Sequence, residues 1–287
     1  MWRRVLLVLF VVGKGTLAAE GSNQEVYKKL CDITKGVKGL MKQNGEHKGS
    51  LQEALYGEKK EDPFVNGYFT GGSRCEWVYP PSRSTYCSHI QPGSTQAKNP
   101  GCFGDSILGT LLCTCVRGQY NEQDLCGLGI EQGSTGWGGW NSRPQDLFKK
   151  VLEKIKENCT APNTTVDIAG HLEDLKNAVN EIKNEAKQKN FSNGKDGHYL
   201  GSGTTTTRFC DGSSAQDACV TYPEKSGNEP SIPWADKILD AINKARTQQQ
   251  GNYKNAAITS GPDHHQDDQE RSSETDTGND EEGDEEG

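Results

Sequence analysis

Ten cysteines that follow an apolar leader constrain this chain more than any other feature. Residues 1–4 read MWRR, residues 5–12 form the apolar run VLLVLFVV, and Ala18 and Ala19 close the segment. A positive start, a short apolar run and a small-residue exit predict a secretory signal peptide over residues 1–19. Eight apolar residues are too few for a membrane span, which needs about 20; the alternative is a buried amino-terminal strand. We therefore expect the mature chain in an oxidising compartment, where disulfides persist.

The segment LLCTCVRGQYNEQDLCG, residues 111–127, could hold metal ligands, nucleophiles or halves of disulfides. Zinc sites usually combine two close-spaced ligand pairs, and the segment has one, Cys113 and Cys115, with His89 upstream. The oxidising compartment favours disulfides, so we expect no metal and no cofactor. A bridge between Cys113 and Cys115 would fit disulfide geometry poorly, so each is predicted to reach a different element.

An even number of cysteines permits five bridges with no thiol left over. The spacing does not determine the connectivity, although the short loop between Cys210 and Cys219 favours that pair. The disulfide candidates are Cys31, Cys75, Cys87, Cys102, Cys113, Cys115, Cys126, Cys159, Cys210 and Cys219.

Three Asn-x-Ser/Thr triplets agree with passage through the secretory pathway. The N-glycosylation candidates are Asn158 in NCT, Asn163 in NTT and Asn190 in NFS. Behind a signal peptide such triplets indicate exposed acceptor sites.

The charge of the chain is unevenly distributed. Of the net −8, residues 261–287 carry −11, from twelve acids and one arginine, which leaves +3 elsewhere. Residues 260–287 are acidic and without an apolar core, so they are predicted to be a disordered tail. The nearly neutral remainder, residues 20–259, is predicted to form one helical domain, and it lacks the basic surface of a nucleic-acid-binding protein.

Heptad spacing of apolar residues predicts long helices. One helix is predicted over about residues 23–43, with Val26, Leu30, Ile33, Val37 and Leu40 on one stripe. A short helix is predicted in SLQEALYG, and others over residues 142–159, over 166–189 and in SIPWADKILDAINKARTQQQ. Residues 58–144, rich in Gly, Ser and Pro, and the loop from residue 193 to 219 are predicted to be irregular and tied by disulfides.

The predicted fold is therefore mainly α, an elongated antiparallel helical bundle or coiled coil with long disulfide-tied irregular loops that form a head. The alternative is a compact helical domain with the same seams in an ordinary core. Apolar content of 32% favours helices stapled by bridges over a large enzyme core.

No catalytic motif is visible in the sequence. Neither Gly-x-Ser-x-Gly nor His-Glu-x-x-His occurs. The histidines at positions 47, 89, 171 and 198 are scattered, and those at 264 and 265 fall in the tail. Trp137 and Trp140 of GWGGW could stack a sugar or a base, although such residues more often pack between a loop and a helix. We expect that the protein is not an enzyme.

Several motifs in this order resemble the variant surface glycoproteins of African trypanosomes, most closely the congolense type. They are VYKKLCDITKGV, the run LLCTCVRG ending at DLCG, GWGGW, a helix closing on ENC, and SIPWADKILDAI. The resemblance covers residues 1–250. It implies a coat glycoprotein on the external side of the plasma membrane, which shields the membrane and evades host antibodies by antigenic variation.

The resemblance also implies partners and an anchor. Such proteins are commonly homodimers of two long helices per subunit, held by a glycosylphosphatidylinositol anchor. This chain ends GNDEEGDEEG without the apolar tail of an anchor signal. A truncated gene, an incomplete chain and a secreted relative all remain open. The functional alternative is a surface receptor on the same scaffold that binds a host serum protein such as transferrin.

Overall fold

The structure, a computed structural model, describes most of the chain between residues 22 and 259. The described residues are 22–43, 45–58, 60–62, 64–65, 68–69, 75, 82–90, 101–119, 124–130, 136–138, 144–160, 168–190, 196–203, 210–213 and 217–259. The predicted signal peptide and acidic tail lie outside these residues, as do Trp140 and Asn163.

The described residues form a helix-rich fold with a small sheet. The helices are α1 Gln24–Met41, α2 His47–Tyr56, α3 Arg83–Cys87, α4 Ile107–Cys115, α5 Gln145–Asn158, α6 Ile168–Glu185 and α7 Pro233–Thr259, with a 3-10 turn at Cys102–Asp105. The strands are β1 Phe64–Val65, β2 Tyr68–Phe69, β3 Lys187–Asn190, β4 Asp196–Gly203, β5 Asp217–Lys225 and β6 Glu229–Pro230. The chain forms two compact units, one up to Gln249 and one from Gln250, and the second contains the end of α7.

Helices α1 and α6 pack side by side in antiparallel directions. Near the start of α1, Lys29 pairs with Glu185 at the end of α6 at 2.5 Å. Further along α1, the Gly36 carbonyl accepts a hydrogen bond from His171 Nε2 at 3.1 Å. A Cβ on Gly36 would lie 3.0 Å from Leu175 Cδ1, so glycine allows the close approach of the two helices.

The apolar stripe predicted for α1 is the stripe that faces the core. Leu30, Ile33, Val37 and Leu40 are fully buried, and Val26 packs against the core while partly exposed. Period-3.6 patterns place such residues on one side of a helix, so the core-facing side was readable before any tertiary contact was known.

Helix α7 joins this pair along its first four turns. Trp234, Ile238 and Ile242 are buried, and Arg246 forms an ion pair with Glu173 of α6. On another side of α7, Lys237 Nζ lies 2.6 Å from Glu53 of α2. The two ion pairs lie at the partly solvent-exposed edges of the apolar contacts that α7 makes with α6 and α2.

A four-stranded antiparallel sheet, ordered β3-β4-β5-β6, occupies part of the segment that was predicted to be irregular. The helix predicted over residues 166–189 ends at Glu185, and β3 begins at Lys187. Asp217–Tyr222 of β5 are all buried, so both faces of this strand are covered. A strand covered on both faces shows no alternation of apolar and polar residues, which is why the sequence pattern missed it.

The prediction of a disulfide-tied segment with little regular structure over residues 58–144 missed α4. Helix α4 crosses the core, with every residue from Ile107 to Cys115 buried. Ser106 caps it by accepting a hydrogen bond from Gly109 N at 3.1 Å. Because α4 is apolar on all sides, its sequence has no stripe of apolar residues at helical spacing. Its glycine and threonines further favoured the prediction of a loop.

Candidate functional site

The five disulfides are the covalent framework of the fold. They join Cys31 to Cys159, Cys75 to Cys102, Cys87 to Cys113, Cys115 to Cys126, and Cys210 to Cys219. All ten sulfurs are used, and every cysteine is at most 5% exposed. A buried, paired cysteine offers neither a thiolate nucleophile nor a metal ligand, so these residues staple the fold.

Three of these bridges surround α4, and together with α3, the 3-10 turn and residues 136–138 they form what we call the clamped core. Cys113 and Cys115, both on α4, reach α3 and Cys126 respectively. Two residues of one helix thus hold two separate chain segments. The separate destinations expected for Cys113 and Cys115 are confirmed, and so is the pairing of Cys210 with Cys219.

Arg83 lies at the centre of the clamped core and is fully buried. Its Nη1 donates to the carbonyls of Arg117 and Trp137 at 3.1 and 2.9 Å, and its Nη2 to that of Cys113 at 2.8 Å. The guanidinium carbon also lies 4.9 Å from the centroid of the Trp137 ring. One side chain therefore joins α3, the end of α4 and the segment that carries Trp137.

Burial lowers the pKa of Arg83 to about 9, because desolvation disfavours the charged form. The carboxylates of Asp211 and Asp217 oppose that shift. The guanidinium remains charged at neutral pH, so its hydrogen bonds to the carbonyls are charge-assisted.

Trp137 is a core residue and not an open stacking platform. Its ring meets Phe148 edge-on at a centroid distance of 4.8 Å, and Phe103 and Tyr86 lie at 5.6 and 6.2 Å. The side chain is fully buried. The packing of a loop tryptophan against a helix, which the sequence favoured, is therefore confirmed for Trp137, and the sugar- or base-stacking alternative is wrong for it. Trp140 lies outside the described residues.

Tyr222 links the sheet to two helices. Its hydroxyl lies 3.0 Å from Thr110 Oγ1 of α4 and accepts a hydrogen bond from Trp234 Nε1 of α7 at 3.2 Å. Burial raises the pKa of Tyr222 well above its ordinary value, so the phenol stays neutral. The Trp234 of the SIPWADKILDAI motif is thus an anchor between α7 and β5.

The histidines lie at separate positions and take part in local packing. His89 Nε2 lies 3.1 Å from Asp105 Oδ1, and its Nδ1 lies 3.0 Å from the carbonyl of Thr221. His171 bonds to α1, and His47 and His198 are buried elsewhere. Across the part of the chain that the structure describes, no group of three or more His, Cys, Asp or Glu side chains could hold a metal ion.

The three sequons differ in what the structure shows of them. Asn158 is the exposed last residue of α5, and its Nδ2 donates to the Tyr27 hydroxyl at 3.1 Å. Asn190 ends β3, where it pairs with Asp196 of β4 across the hairpin. Glycosylation of these residues stays a prediction.

Sequence reasoning missed Arg83 and Tyr222, two buried polar side chains that join separate elements of this core. Both act through backbone or side-chain partners at least 12 residues away in the chain, such as Trp234 and Trp137. The one local signal was Ser82, whose hydroxyl accepts from Thr85 N at 3.3 Å and starts α3 beside Arg83.

The surface of the described residues is polar and crossed by ion pairs. The only large hydrophobic side chain found exposed there is Val65, at 52%. Among the described residues, no helix is apolar and long enough to cross a bilayer.

Comparison with protein families identifies the family of this chain. The model of the family described as the trypanosomal VSG domain, where VSG denotes variant surface glycoprotein, matches residues 37–260. The match spans α2 to α7, the clamped core and four whole disulfides, with only α1 largely outside it. No curated protein matches the chain.

Proposed function

This chain belongs to the trypanosomal VSG domain family, and we propose that it is a surface coat glycoprotein of a trypanosome. The match over residues 37–260 is the observation that carries the proposal. The protein would act by bulk and density on the outer face of the plasma membrane, where it shields other surface proteins from host antibodies. Such a role requires no catalysis.

The packing of the described residues supports a structural role. All thiols are closed and buried, and the polar side chains at the centre, Arg83 and Tyr222, are engaged with the fold itself. A coat protein is packed at high density, so an exposed apolar patch would promote aggregation. The described surface, with Val65 as its one large exposed hydrophobic side chain, fits this requirement.

We further propose that the chain is a coat protein of the congolense type and that the loops tied to the clamped core are its antibody-facing, variable part. Three bridges and the three carbonyl contacts of Arg83 fix the bases of these segments through cysteines and backbone atoms. Backbone carbonyls are present whatever the side chain, so loop sequences can change while the attachment is kept. This is a physical basis for antigenic variation.

The proposal includes a homodimer, a lipid anchor and an elongated bundle. The antiparallel α1–α6 pair supports a long-helix scaffold, since its contacts run from Lys29–Glu185 to Gly36–His171. Glycosylphosphatidylinositol attachment would place the protein on the outer leaflet. Light scattering coupled to gel filtration tests the dimer, and a monomer mass at micromolar concentration would contradict it.

The decisive experiment uses antibodies raised against the folded recombinant protein. Live, unpermeabilised trypanosomes that express this chain should stain over the whole surface, and brief trypsin treatment should remove the signal. Release by phosphatidylinositol-specific phospholipase C would support the anchor. Staining only after permeabilisation would contradict the coat function.

The same recombinant protein tests the receptor alternative, which no observation on the described residues favours. It is immobilised and exposed to host serum, with a denatured sample as the control. We expect no stoichiometric partner besides antibodies. Retention of one host protein in stoichiometric amount would replace the coat proposal by a receptor.

A further inference from the structure

We propose that Asn158 is a conditional N-glycosylation site whose occupancy is set by the Cys31–Cys159 bridge. Asn158 is modified only on chains whose Cys159 is still a thiol, and closure of the bridge withdraws the site. The inference rests on the proposed function, because both reactions require entry into the secretory pathway. It follows from the contacts of the three sequon residues, Asn158, Cys159 and Thr160.

The middle residue of the sequon is the most tightly held. Cys159 is fully buried and bonded to Cys31 of α1. Its backbone N–H donates to the Ile155 carbonyl at 2.9 Å, which continues the hydrogen bonding of α5. Its own carbonyl accepts from Lys38 Nζ, again on α1, at 3.1 Å. With the bridge closed, this backbone cannot leave the end of α5 without unfolding the contact with α1.

The hydroxyl of Thr160, the third residue of the sequon, is bonded to the backbone of α5 and is not available to the acceptor asparagine. Transfer requires the hydroxyl of the third sequon residue to engage the acceptor asparagine while the segment is an exposed loop. Here Thr160 Oγ1 donates to the carbonyls of Lys156 and Glu157 at 2.9 and 3.1 Å. Hydroxyls that bond backwards in this way stabilise a helix end and not an extended acceptor.

The side-chain amide of Asn158 already donates a hydrogen bond in the structure with the Cys31–Cys159 bridge formed. Asn158 Nδ2 lies 3.1 Å from the hydroxyl of Tyr27, and that hydroxyl is also 3.8 Å from Cys159 Sγ. Tyr27 is on α1, 7% exposed. The bridge and the amide contact therefore form together, when α5 docks on α1.

The two reactions compete for the same newly made segment. In glycosylation, Nδ2 of Asn158 bonds to the anomeric carbon of a lipid-pyrophosphate-linked oligosaccharide; the bond from that carbon to pyrophosphate breaks, lipid pyrophosphate leaves and one amide proton is lost. In bridge formation, the thiols of Cys31 and Cys159 give two electrons and two protons to a disulfide oxidant, which becomes a dithiol.

The order of synthesis favours the bridge. Cys31 precedes Cys159 by 128 residues, so its thiol is already available when the sequon emerges. We therefore expect Asn158 to be largely unmodified in the native protein. Freeing Cys159 should restore modification.

The test expresses the full chain in a eukaryotic secretory host and measures glycan occupancy by mass spectrometry of total cellular protein. Every variant carries Asn163→Gln, because that sequon falls on the same tryptic peptide as Asn158. Cys31→Ser opens the bridge without touching the sequon. Cys210→Ser is the matched control, since it opens a different bridge, and Thr160→Ala destroys the acceptor. Total protein is analysed so that chains retained for misfolding are also counted.

We expect Cys31→Ser to raise occupancy of Asn158 several-fold over the parent and Cys210→Ser to leave it unchanged. Equal occupancy of Asn158 in the parent and in Cys31→Ser, with Asn190 glycosylated in both, would overturn this inference alone. Absence of glycan at Asn158 and Asn190 in every variant would overturn the secretory location as well, and with it the proposed function.

Discussion

Replacing Arg83 by methionine tests the claim that one guanidinium holds the clamped core together. Methionine keeps much of the volume and removes the charge and all donors. The carbonyls of Cys113, Arg117 and Trp137 lose charge-assisted hydrogen bonds of 2.8 to 3.1 Å in a fully buried site. A hydrogen bond to a charged group is worth about 1.5–3 kcal/mol, and removing a buried charge returns part of its desolvation cost.

The net expectation for Arg83→Met is a loss of about 3 kcal/mol of unfolding free energy, roughly 1 kcal/mol for each carbonyl. Arg83→Lys should lose nearly as much, because an ammonium lacks the planar fork that reaches three acceptors in different segments. The stabilisation by Arg83 therefore depends on the planar geometry of the guanidinium as well as on its charge.

The assay is equilibrium unfolding in guanidinium chloride with the disulfides intact, followed by fluorescence of the buried Trp137 and Trp234. Arg246→Met is the matched control, since its ion pair with Glu173 is partly exposed to solvent. Such pairs contribute at most about 1 kcal/mol. If Arg83→Met and Arg246→Met shift the midpoint equally, Arg83 does not hold the core as we argue.

Three further predictions concern glycines, a tyrosine and the bridges. A Cβ at Gly109 would lie 2.1 Å from a backbone carbonyl oxygen of the preceding 3-10 turn, so Gly109→Ala should cost about 3 kcal/mol. A Cβ at Gly251 would lie more than 4 Å from every described atom, so Gly251→Ala should be neutral or stabilising. Equal melting temperatures of the two variants would contradict the close packing at Gly109. The pKa of Tyr222 is raised from 10.0 by burial, so its stabilising effect is complete below pH 10.0 and is lost as pH rises through the higher folded-state value. Unfolding free energy should thus fall above pH 10.0, and less steeply in Tyr222→Phe; identical slopes in denaturant titrations would refute it. Replacing both cysteines of the Cys31–Cys159 bridge by serine, which opens a loop of 128 residues, should lower the unfolding free energy by about 5 kcal/mol. The same change at Cys210–Cys219, which opens a loop of 9 residues, should lower it by about 3 kcal/mol. The reverse order would contradict the loop-entropy explanation.

The long helices could be located from the sequence because their signal is local. The stripe of Leu30, Ile33, Val37 and Leu40 predicted both the existence of α1 and its buried side. The family indicated by the cysteine and tryptophan motifs is confirmed by the match over residues 37–260. Motifs and periodicity are properties of neighbouring residues, so no tertiary contact was needed to read them.

The sheet and α4 could not be located in the same way. Helix α4 and residues Asp217–Tyr222 of β5 are covered on all sides, and a fully covered element shows no alternation between apolar and polar positions. Gly197 and Gly201 within β4 further made that segment read as loop, yet both are placed against the backbone of β5. The element type there follows from the neighbours that pack on it.

The sequence by itself predicted that the ten cysteines pair with one another and that amphipathic helices form, because an even cysteine count and an apolar periodicity are both read from the order of residues. Only the tertiary structure decided the four disulfide pairings other than Cys210–Cys219, and that Arg83 donates to three carbonyls. Those outcomes depend on segments far apart in sequence that become neighbours when the apolar faces are buried. The free energy of that burial is a sum over the whole core, and no local pattern contains it.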